Sequence, residues 1–109
     1  MAEIKPYLVA GEWKQGSDSF EVKSPYDGSV VATVGRPDES DMEAAASAAH
    51  RIFDESRKLP VYARYEALAH ISDRLAERRD EVAEVIAREG GKPLKWATVE
   101  AARAVSTFR

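Results

Sequence analysis

Residues 20–34, FEVKSPYDGSVVATV, predict a β-hairpin and decide the fold class of the first third of the chain. The segment FEVK alternates apolar and charged side chains, which is typical of a half-exposed strand. The segment PYDG supplies a proline and an Asp-Gly pair, the strongest short turn signal in the chain. The segment VVATV then returns as a strand rich in β-branched residues.

A second hairpin is predicted on the N-terminal side of this one. Residues 7–13, YLVAGEW, combine a short apolar strand, a tight turn at Ala10-Gly11 and a return strand. Residues 16–19, GSDS, have the composition of a turn and separate the two hairpins. We therefore assign residues 1–36 to two β-hairpins.

Residues 38–109 predict about four helices. Ser40 and Glu43 have the spacing of a capping box, in which the hydroxyl accepts from the Glu43 amide and the carboxylate reaches back to the Ser40 amide. The apolar side chains behind this box recur at helical spacing and predict a buried, mostly alanine stripe: Met42, Ala45, Ala46, Ala49 and Phe53. Pro60 is expected to end this first helix.

A second helical pattern runs from about Val61 to Glu89. Its apolar series lapses at residues 78–80, where we expect a break or kink, with Asp80 able to cap the continuation. Gly90-Gly91 is expected to close the helix in a left-handed cap.

The last helix begins after Pro93 and keeps its spacing to Arg109, with no Gly, Asn or Pro to close it. We therefore expect the chain to be the first part of a longer protein. Strands come first and helices afterwards, with no strand–helix–strand alternation, so the segment is predicted to be α+β.

Composition narrows the function classes. The 109 residues are 44% hydrophobic and 32% charged, which suits one soluble globular domain or a piece of one. A net charge of −3 does not point to a nucleic-acid partner, which would favour a basic surface. No apolar run approaches the ~20 residues of a membrane span. The N-terminus has no signal-peptide core, so a cytoplasmic location is expected. The chain has no cysteine, which excludes disulfides, thiolate metal sites and a cysteine nucleophile from these residues.

Few side chains are candidates for chemistry. His50 and His70 fall on different helices, so solvated or helix-capping histidines are expected rather than a zinc site, which needs three or four ligands. Gly90-Gly91-Lys92 lacks the spacing of a phosphate loop, and no Gly-x-Gly-x-x-Gly turn for a dinucleotide occurs. The charged side chains around the helix break are expected to form a solvated run: Glu77, Arg78, Arg79, Asp80, Glu81, Glu84 and Arg88.

Arg103 is the one residue that we single out, because charge is sparse among its neighbours in the segment AARAV. The favoured interpretation is a surface arginine whose stem covers apolar neighbours. The alternative is an arginine that points into a site and pairs with a substrate anion.

Landmarks along residues 7–109 resemble, in their order and spacing, the start of the aldehyde dehydrogenase superfamily. They are AGEW at 10–13, SPYDG at 24–28, SDME at 40–43, LP at 59–60, EGGKPL at 89–94, RA at 103–104 and TFR at 107–109. The departures are small. The family more often has Asn at the position of Ala10, which leaves the type of the first turn open, and Thr or Ser at the position of Gly90.

The resemblance implies that the parent protein oxidises an aldehyde to the carboxylic acid with NAD or NADP. In such enzymes a cysteine attacks the carbonyl to give a thiohemiacetal, hydride leaves to the nicotinamide, and a glutamate activates the water that releases the acid. Those residues and the cofactor's binding elements come later in the family's chain, so no catalytic, cofactor-binding or metal-binding residue is expected here. Alignment of the motifs places Val99 and Arg103 beside the substrate tunnel, where Arg103 would suit an aldehyde carrying a carboxylate, phosphate or sulfonate.

The same resemblance places residues 1–109 in the N-terminal part of the cofactor-binding domain of a larger α/β fold. The expected partners are the remainder of its own chain, a small aldehyde, and further copies in a homodimer or homotetramer. The segment alone is expected to be inactive, to bind no cofactor and, if truncated, to expose apolar helix faces. Two alternatives stay open: a natural short helical module that binds a protein partner, and a non-catalytic relative of the family.

Overall fold

The computed structural model describes residues 3–109, which form five strands and four helices. In chain order they are β1 (Ile4–Lys5), β2 (Tyr7–Val9), β3 (Glu12–Lys14), β4 (Asp18–Lys23), β5 (Val30–Arg36), α1 (Glu39–Ser56), α2 (Val61–Glu77), α3 (Arg79–Gly90) and α4 (Leu94–Thr107). Strands precede helices, so the predicted α+β class is confirmed. The chain divides into two compact units, one of residues up to 23 with 29–58, the other of residues 24–28 with 59–109.

The strands form both predicted hairpins. β2 and β3 pair antiparallel, with Leu8 opposite Trp13, and β4 and β5 pair antiparallel, with Phe20 opposite Val34. The sequence did not predict β1, which pairs in parallel with β5 and completes a three-stranded sheet of order β1-β5-β4. Two residues are too few to show an alternating pattern, so β1 is recognisable only through its partner.

The turn of the first hairpin has positive φ at both central residues, 52° at Ala10 and 86° at Gly11. Positive φ at both positions defines a type I′ turn, the type that Asn-Gly pairs favour. Ala10 therefore adopts the left-handed conformation that an Asn at this position would adopt more easily.

We expect Ala10→Asn to raise the free energy of unfolding by about 0.5–1 kcal/mol, because Asn tolerates the left-handed region better than Ala does. Ala10 is exposed, so the new side chain meets no packing obstacle. Urea denaturation of the two chains measures the difference. Ala10→Val is the matched control and should destabilise, since β-branched residues rarely adopt positive φ. Equal midpoints for the three chains would show that the turn is unstrained.

The N-cap of helix α1 lies two residues before the predicted capping residue, Ser40. Its N-cap is Asp38, whose carboxylate accepts from the Asp41 amide at 2.9 Å, while the Asp41 carboxylate accepts from the Asp38 amide. The box predicted for Ser40 and Glu43 is therefore wrong, and the Ser40 hydroxyl instead donates to Asp38. Asp and Ser cap helices equally well, and both positions have an acidic residue three places on, so local preferences alone did not separate the two registers.

The apolar stripe predicted to be buried on α1 is exposed, so that prediction is also wrong. All five of its residues are exposed, with Met42 and Phe53 each at 63%, and α1 buries Asp41 instead. Helical spacing identifies an apolar face but not whether a neighbour covers it. The helix ends at Ser56, and Pro60 is the N-cap of α2 rather than the residue that ends α1.

The predicted break between α2 and α3 is confirmed at Arg78, which lies outside both helices with φ −102° and ψ 16°. The expected cap by Asp80 is wrong, because no side chain caps α3 and Asp80 lies within its first turn. Gly91, at φ 64°, ends α3 in the predicted left-handed cap. Helix α4 ends at Thr107 rather than continuing to Arg109.

A small apolar cluster joins α3 to α4. Ala83 packs with Ala97 and Ala101, and none of the three is more than 2% exposed. Helix α2 is tied to α4 by Ser72, whose fully buried hydroxyl donates to the Val105 carbonyl at 2.8 Å. That carbonyl is one of the last four of α4, which have no partner within the helix. These contacts fix which face of α4 points away from its neighbours.

Candidate functional site

Val99 and Arg103, the two residues for which the family resemblance implies a place beside a substrate tunnel, line one open groove on α4. They lie four residues apart, a spacing that puts both on the same face of a helix. The groove has a volume of about 580 Å³. Its lining residues are Lys92, Trp96, Val99, Glu100, Arg103, Ala104 and Thr107.

The packing of α4 determines this exposed face. The helix presents Ala97 and Ala101 to α3, so positions at a different phase of the helix turn point elsewhere. Trp96 and Val99 lie on a different face of α4 from Ala97 and Ala101, and they are 57% and 48% exposed. The groove therefore has an apolar wall formed by large side chains that no residue in the described part of the chain covers fully.

The charges in the groove are unevenly paired. The Lys92 ammonium forms an ion pair with the Glu100 carboxylate. Lys95 is not a lining residue, and its ammonium lies 5.4 Å from the centre of the Trp96 ring. Within residues 3–109, no ion pair or side-chain hydrogen bond involves the Arg103 guanidinium. Arg103 is thus a cation whose five donors are available to an anion.

The structure agrees with both interpretations of Arg103 that the sequence left open. Its side chain is exposed, as expected for a surface arginine. It also lines a groove beside apolar side chains, as expected for an arginine that binds a substrate anion.

Of the other candidate residues, Lys92 lines this groove and the rest are not among its lining residues. His50 is on α1 and His70 on α2, both exposed, and no group of three or more His, Cys, Asp or Glu in residues 3–109 is placed to hold a metal ion. Gly90-Gly91-Lys92 is a helix end followed by proline, not a phosphate loop. The charged run is solvated as predicted, with exposed pairs between Arg78 and Glu81 and between Arg88 and Glu84.

A polar network centred on Asp41 was not predicted from the sequence. Asp41 is only 6% exposed, and its carboxylate accepts from the Tyr7 hydroxyl at 2.5 Å and from the Lys14 ammonium at 2.7 Å. These bonds hold the pKa of Asp41 below its usual range, with the Lys14 bond the larger cause. The bond to Asp41 also raises the pKa of Tyr7 to about 12.

This network connects α1 to the hairpin of β2 and β3. Its partners are 34 and 27 residues from Asp41 in the chain, so no local pattern marks them. The one available signal was the acidic pair Asp38 and Asp41 at capping-box spacing. Because Asp41 is saturated by partners of its own unit, we assign it a structural role.

Among residues 3–109, no helix has both the length and the apolar character needed to cross a bilayer.

The strands and helices form an α+β segment, and comparison with known proteins gives its family. Residues 13–109 match the model of the aldehyde dehydrogenase family, and the chain belongs to that family. The family recognised from the sequence motifs is thereby confirmed.

Similar proteins cover nearly all of the chain but are much longer than it. A 2-aminomuconic 6-semialdehyde dehydrogenase of a Pseudomonas species is 32% identical over 94% of the chain and 21% of its own length. Aldehyde dehydrogenase 21 of Physcomitrella patens, solved with its reaction product succinate, superimposes with a TM-score of 0.94 at 26% identity, over 99% of this chain and 23% of that one. An NAD-dependent benzaldehyde dehydrogenase of Corynebacterium glutamicum superimposes with a TM-score of 0.88 at 26% identity, over 95% and 23%. The chain thus spans about a fifth of the length of the relatives it matches.

Proposed function

We propose that the chain is the N-terminal part of the cofactor-binding domain of an enzyme that oxidises an aldehyde to the carboxylic acid with NAD or NADP. The observation that carries the proposal is the family match over residues 13–109. The NAD-dependent benzaldehyde dehydrogenase, which shares the fold of these residues, supports the nicotinamide cofactor. The chain covers about a fifth of each relative, which supports the proposal that the catalytic residues lie outside these 109.

We propose further that the 109 residues alone do not oxidise aldehydes. The family's reaction begins with attack by a cysteine on the carbonyl, and this sequence has no cysteine. The described residues also do not fit a dinucleotide, since their one Gly-Gly-Lys sequence ends a helix and precedes a proline. No step through the cofactor is therefore assigned to this chain, whose contribution is one wall of a substrate site.

The intact mass of the protein as expressed, with the gene read past Arg109, tests this proposal. A mass several-fold above 12.0 kDa, with a downstream cysteine in frame, would support it. A mass of 12.0 kDa with an in-frame stop would contradict it. That result would favour a natural short protein that binds a partner through the exposed apolar side chains of α1, such as Met42 and Phe53.

In the enzyme, Val99 and Arg103 border the substrate tunnel, and Arg103 binds an anionic group on the aldehyde. The unpaired guanidinium and the apolar wall of the groove support this assignment. Two similar proteins agree with it: one is named for a muconic semialdehyde, which carries a carboxylate, and the other was solved with its reaction product succinate, a dicarboxylate. Benzaldehyde, by contrast, is uncharged, so the family as a whole does not require an anion.

We expect Arg103→Ala, made in the enzyme encoded by the full reading frame, to lower kcat/KM for carboxylate-bearing aldehydes about 10- to 100-fold. A hydrogen bond to a charged group contributes roughly 1.5–3 kcal/mol, which sets that range. Uncharged aldehydes should be oxidised at the same rate as before. Arg88→Ala, which removes an exposed arginine of α3, is the matched control. Equal losses on charged and uncharged aldehydes would contradict the assignment.

A further inference from the structure

We propose that Lys92 keeps the Glu100 carboxylate paired and thereby leaves the Arg103 guanidinium free to bind an anion. The inference rests on the proposed function of Arg103 and adds a positioning residue to it. Lys92 lies between the end of α3 and the start of α4, and its ammonium contacts the Glu100 carboxylate eight residues further on.

Glu100 has two cations within reach on the same groove. One is Lys92, with which it pairs, and the other is Arg103, three residues further along α4. Side chains at that spacing on a helix are neighbours, with Cβ atoms about 5–6 Å apart, and an acid placed before a base is favourable. Among the described residues, the structure nevertheless shows no Glu100–Arg103 pair, and Glu100 pairs with Lys92 instead. The contact with Lys92 therefore determines which of the two cations Glu100 binds.

A pair between Glu100 and Arg103 would compete directly with an incoming anion. The guanidinium donors that would bind a carboxylate of the substrate are the same donors that Glu100 would occupy. Both partners of the existing pair are about half exposed, at 42% for Lys92 and 52% for Glu100. Exposed pairs are weak, so loss of Lys92 should change the availability of Arg103 by about twofold rather than abolish it.

Two simpler roles for Lys92 must be separated from this one. Lys92 could add positive charge to the groove, or it could hold the segment before α4 against the helix. A double-mutant cycle with Glu100 separates these roles, because only a role exercised through Glu100 disappears when the Glu100 carboxylate is removed.

The experiment measures the rate at which phenylglyoxal, an arginine-selective reagent, modifies Arg103 in the protein encoded by the full reading frame at low ionic strength, with the modified residue identified by mass spectrometry. Lys92→Ala is expected to slow the modification about twofold, because Glu100 then pairs with Arg103. Glu100→Gln should remove that effect, so the double variant should react as fast as Glu100→Gln alone. Lys92→Arg, which retains the pair, should react as the unchanged chain does.

Lys95→Ala is the matched control, since it removes a neighbouring lysine whose ammonium lies over Trp96 rather than beside Glu100. The proposal is wrong if Lys92→Ala leaves the Arg103 rate unchanged, or slows it equally with and without the Glu100 carboxylate. None of these outcomes depends on aldehyde oxidation. Failure of the Arg103→Ala test in the enzyme would instead overturn the substrate assignment and leave the measured pairing intact.

Discussion

Gly35→Ala is expected to lower the free energy of unfolding of the chain by about 3 kcal/mol, the upper end of the usual range for overpacking a buried site. Gly35 is buried in β5, and a Cβ there would lie 2.2 Å from the carbonyl oxygen of Gln15 and 3.2 Å from the Tyr7 ring. The nearest atom belongs to the backbone, so no side-chain rotation relieves the clash. The strand or the segment before β4 must move, which disturbs the packing of Tyr7 as well.

Gly90→Ala is the matched control for this substitution. Gly90 is the last residue of α3, and a Cβ there would meet nothing within 4 Å. Ala has the higher helix propensity, so this change should stabilise by up to about 0.5–1 kcal/mol. Chemical denaturation of the three chains should therefore give shifts of opposite sign. An unchanged midpoint for Gly35→Ala would mean that Gln15 moves aside without loss and that the close approach is not needed.

Local signals sufficed for the elements that are defined within a few residues. Both hairpins followed from their turns, and the left-handed end of α3 followed from Gly90-Gly91. The break at Arg78 followed from a lapse in the apolar pattern. Where two local solutions had similar energies, the prediction failed: Asp38 and Ser40 are both good capping residues, and only the full set of contacts selects Asp38.

Features that depend on distant residues were not predictable in the same way. The apolar face of α1 was correctly recognised as apolar, but its exposure depends on what surrounds it. Arg103 was noticed because charge is sparse around it, whereas the pair of Lys92 and Glu100 crosses a helix boundary and has no pattern of its own. The role of Val99 and Arg103 came from family resemblance, and the structure adds the groove that they share.

Asp41→Asn is expected to lower the unfolding midpoint at neutral pH more than removal of any exposed carboxylate in the same unit. The substitution keeps the shape of the side chain, and its amide oxygen can still accept from Tyr7. It removes the negative charge beside Lys14, which then retains no comparable partner for its 2.7 Å bond. Asp41 is 6% exposed, so solvent does not readily replace the lost interaction. Glu21→Gln, which removes an exposed carboxylate paired with Lys23, is the matched control.

The pH dependence of stability separates the charge of Asp41 from its shape. Hydrogen bonds from Lys14 and Tyr7 lower the pKa of Asp41 in the folded chain, so its contribution is complete above the unfolded pKa of about 3.9. That contribution is lost as the pH falls through the lower, folded pKa. The midpoint of the unchanged chain should therefore drop more steeply below about pH 4 than that of Asp41→Asn.

At alkaline pH the network should lose stability as the pH rises, which provides a second test of its contribution. The folded pKa of Tyr7 is raised from 10.0 to about 12, chiefly by its bond to Asp41, so neutral Tyr7 contributes fully below pH 10.0 and loses its contribution as the pH rises toward 12. The Asp41 carboxylate also raises the pKa of Lys14, so the contribution of Lys14 to stability is likewise lost as the pH rises. Tyr7→Phe should flatten the alkaline limb of the midpoint curve and leave most of the acid limb. If Asp41→Asn and Tyr7→Phe both left the curve unchanged, the short contacts to Asp41 would not contribute to stability, and α1 would be held to the hairpin by apolar packing alone.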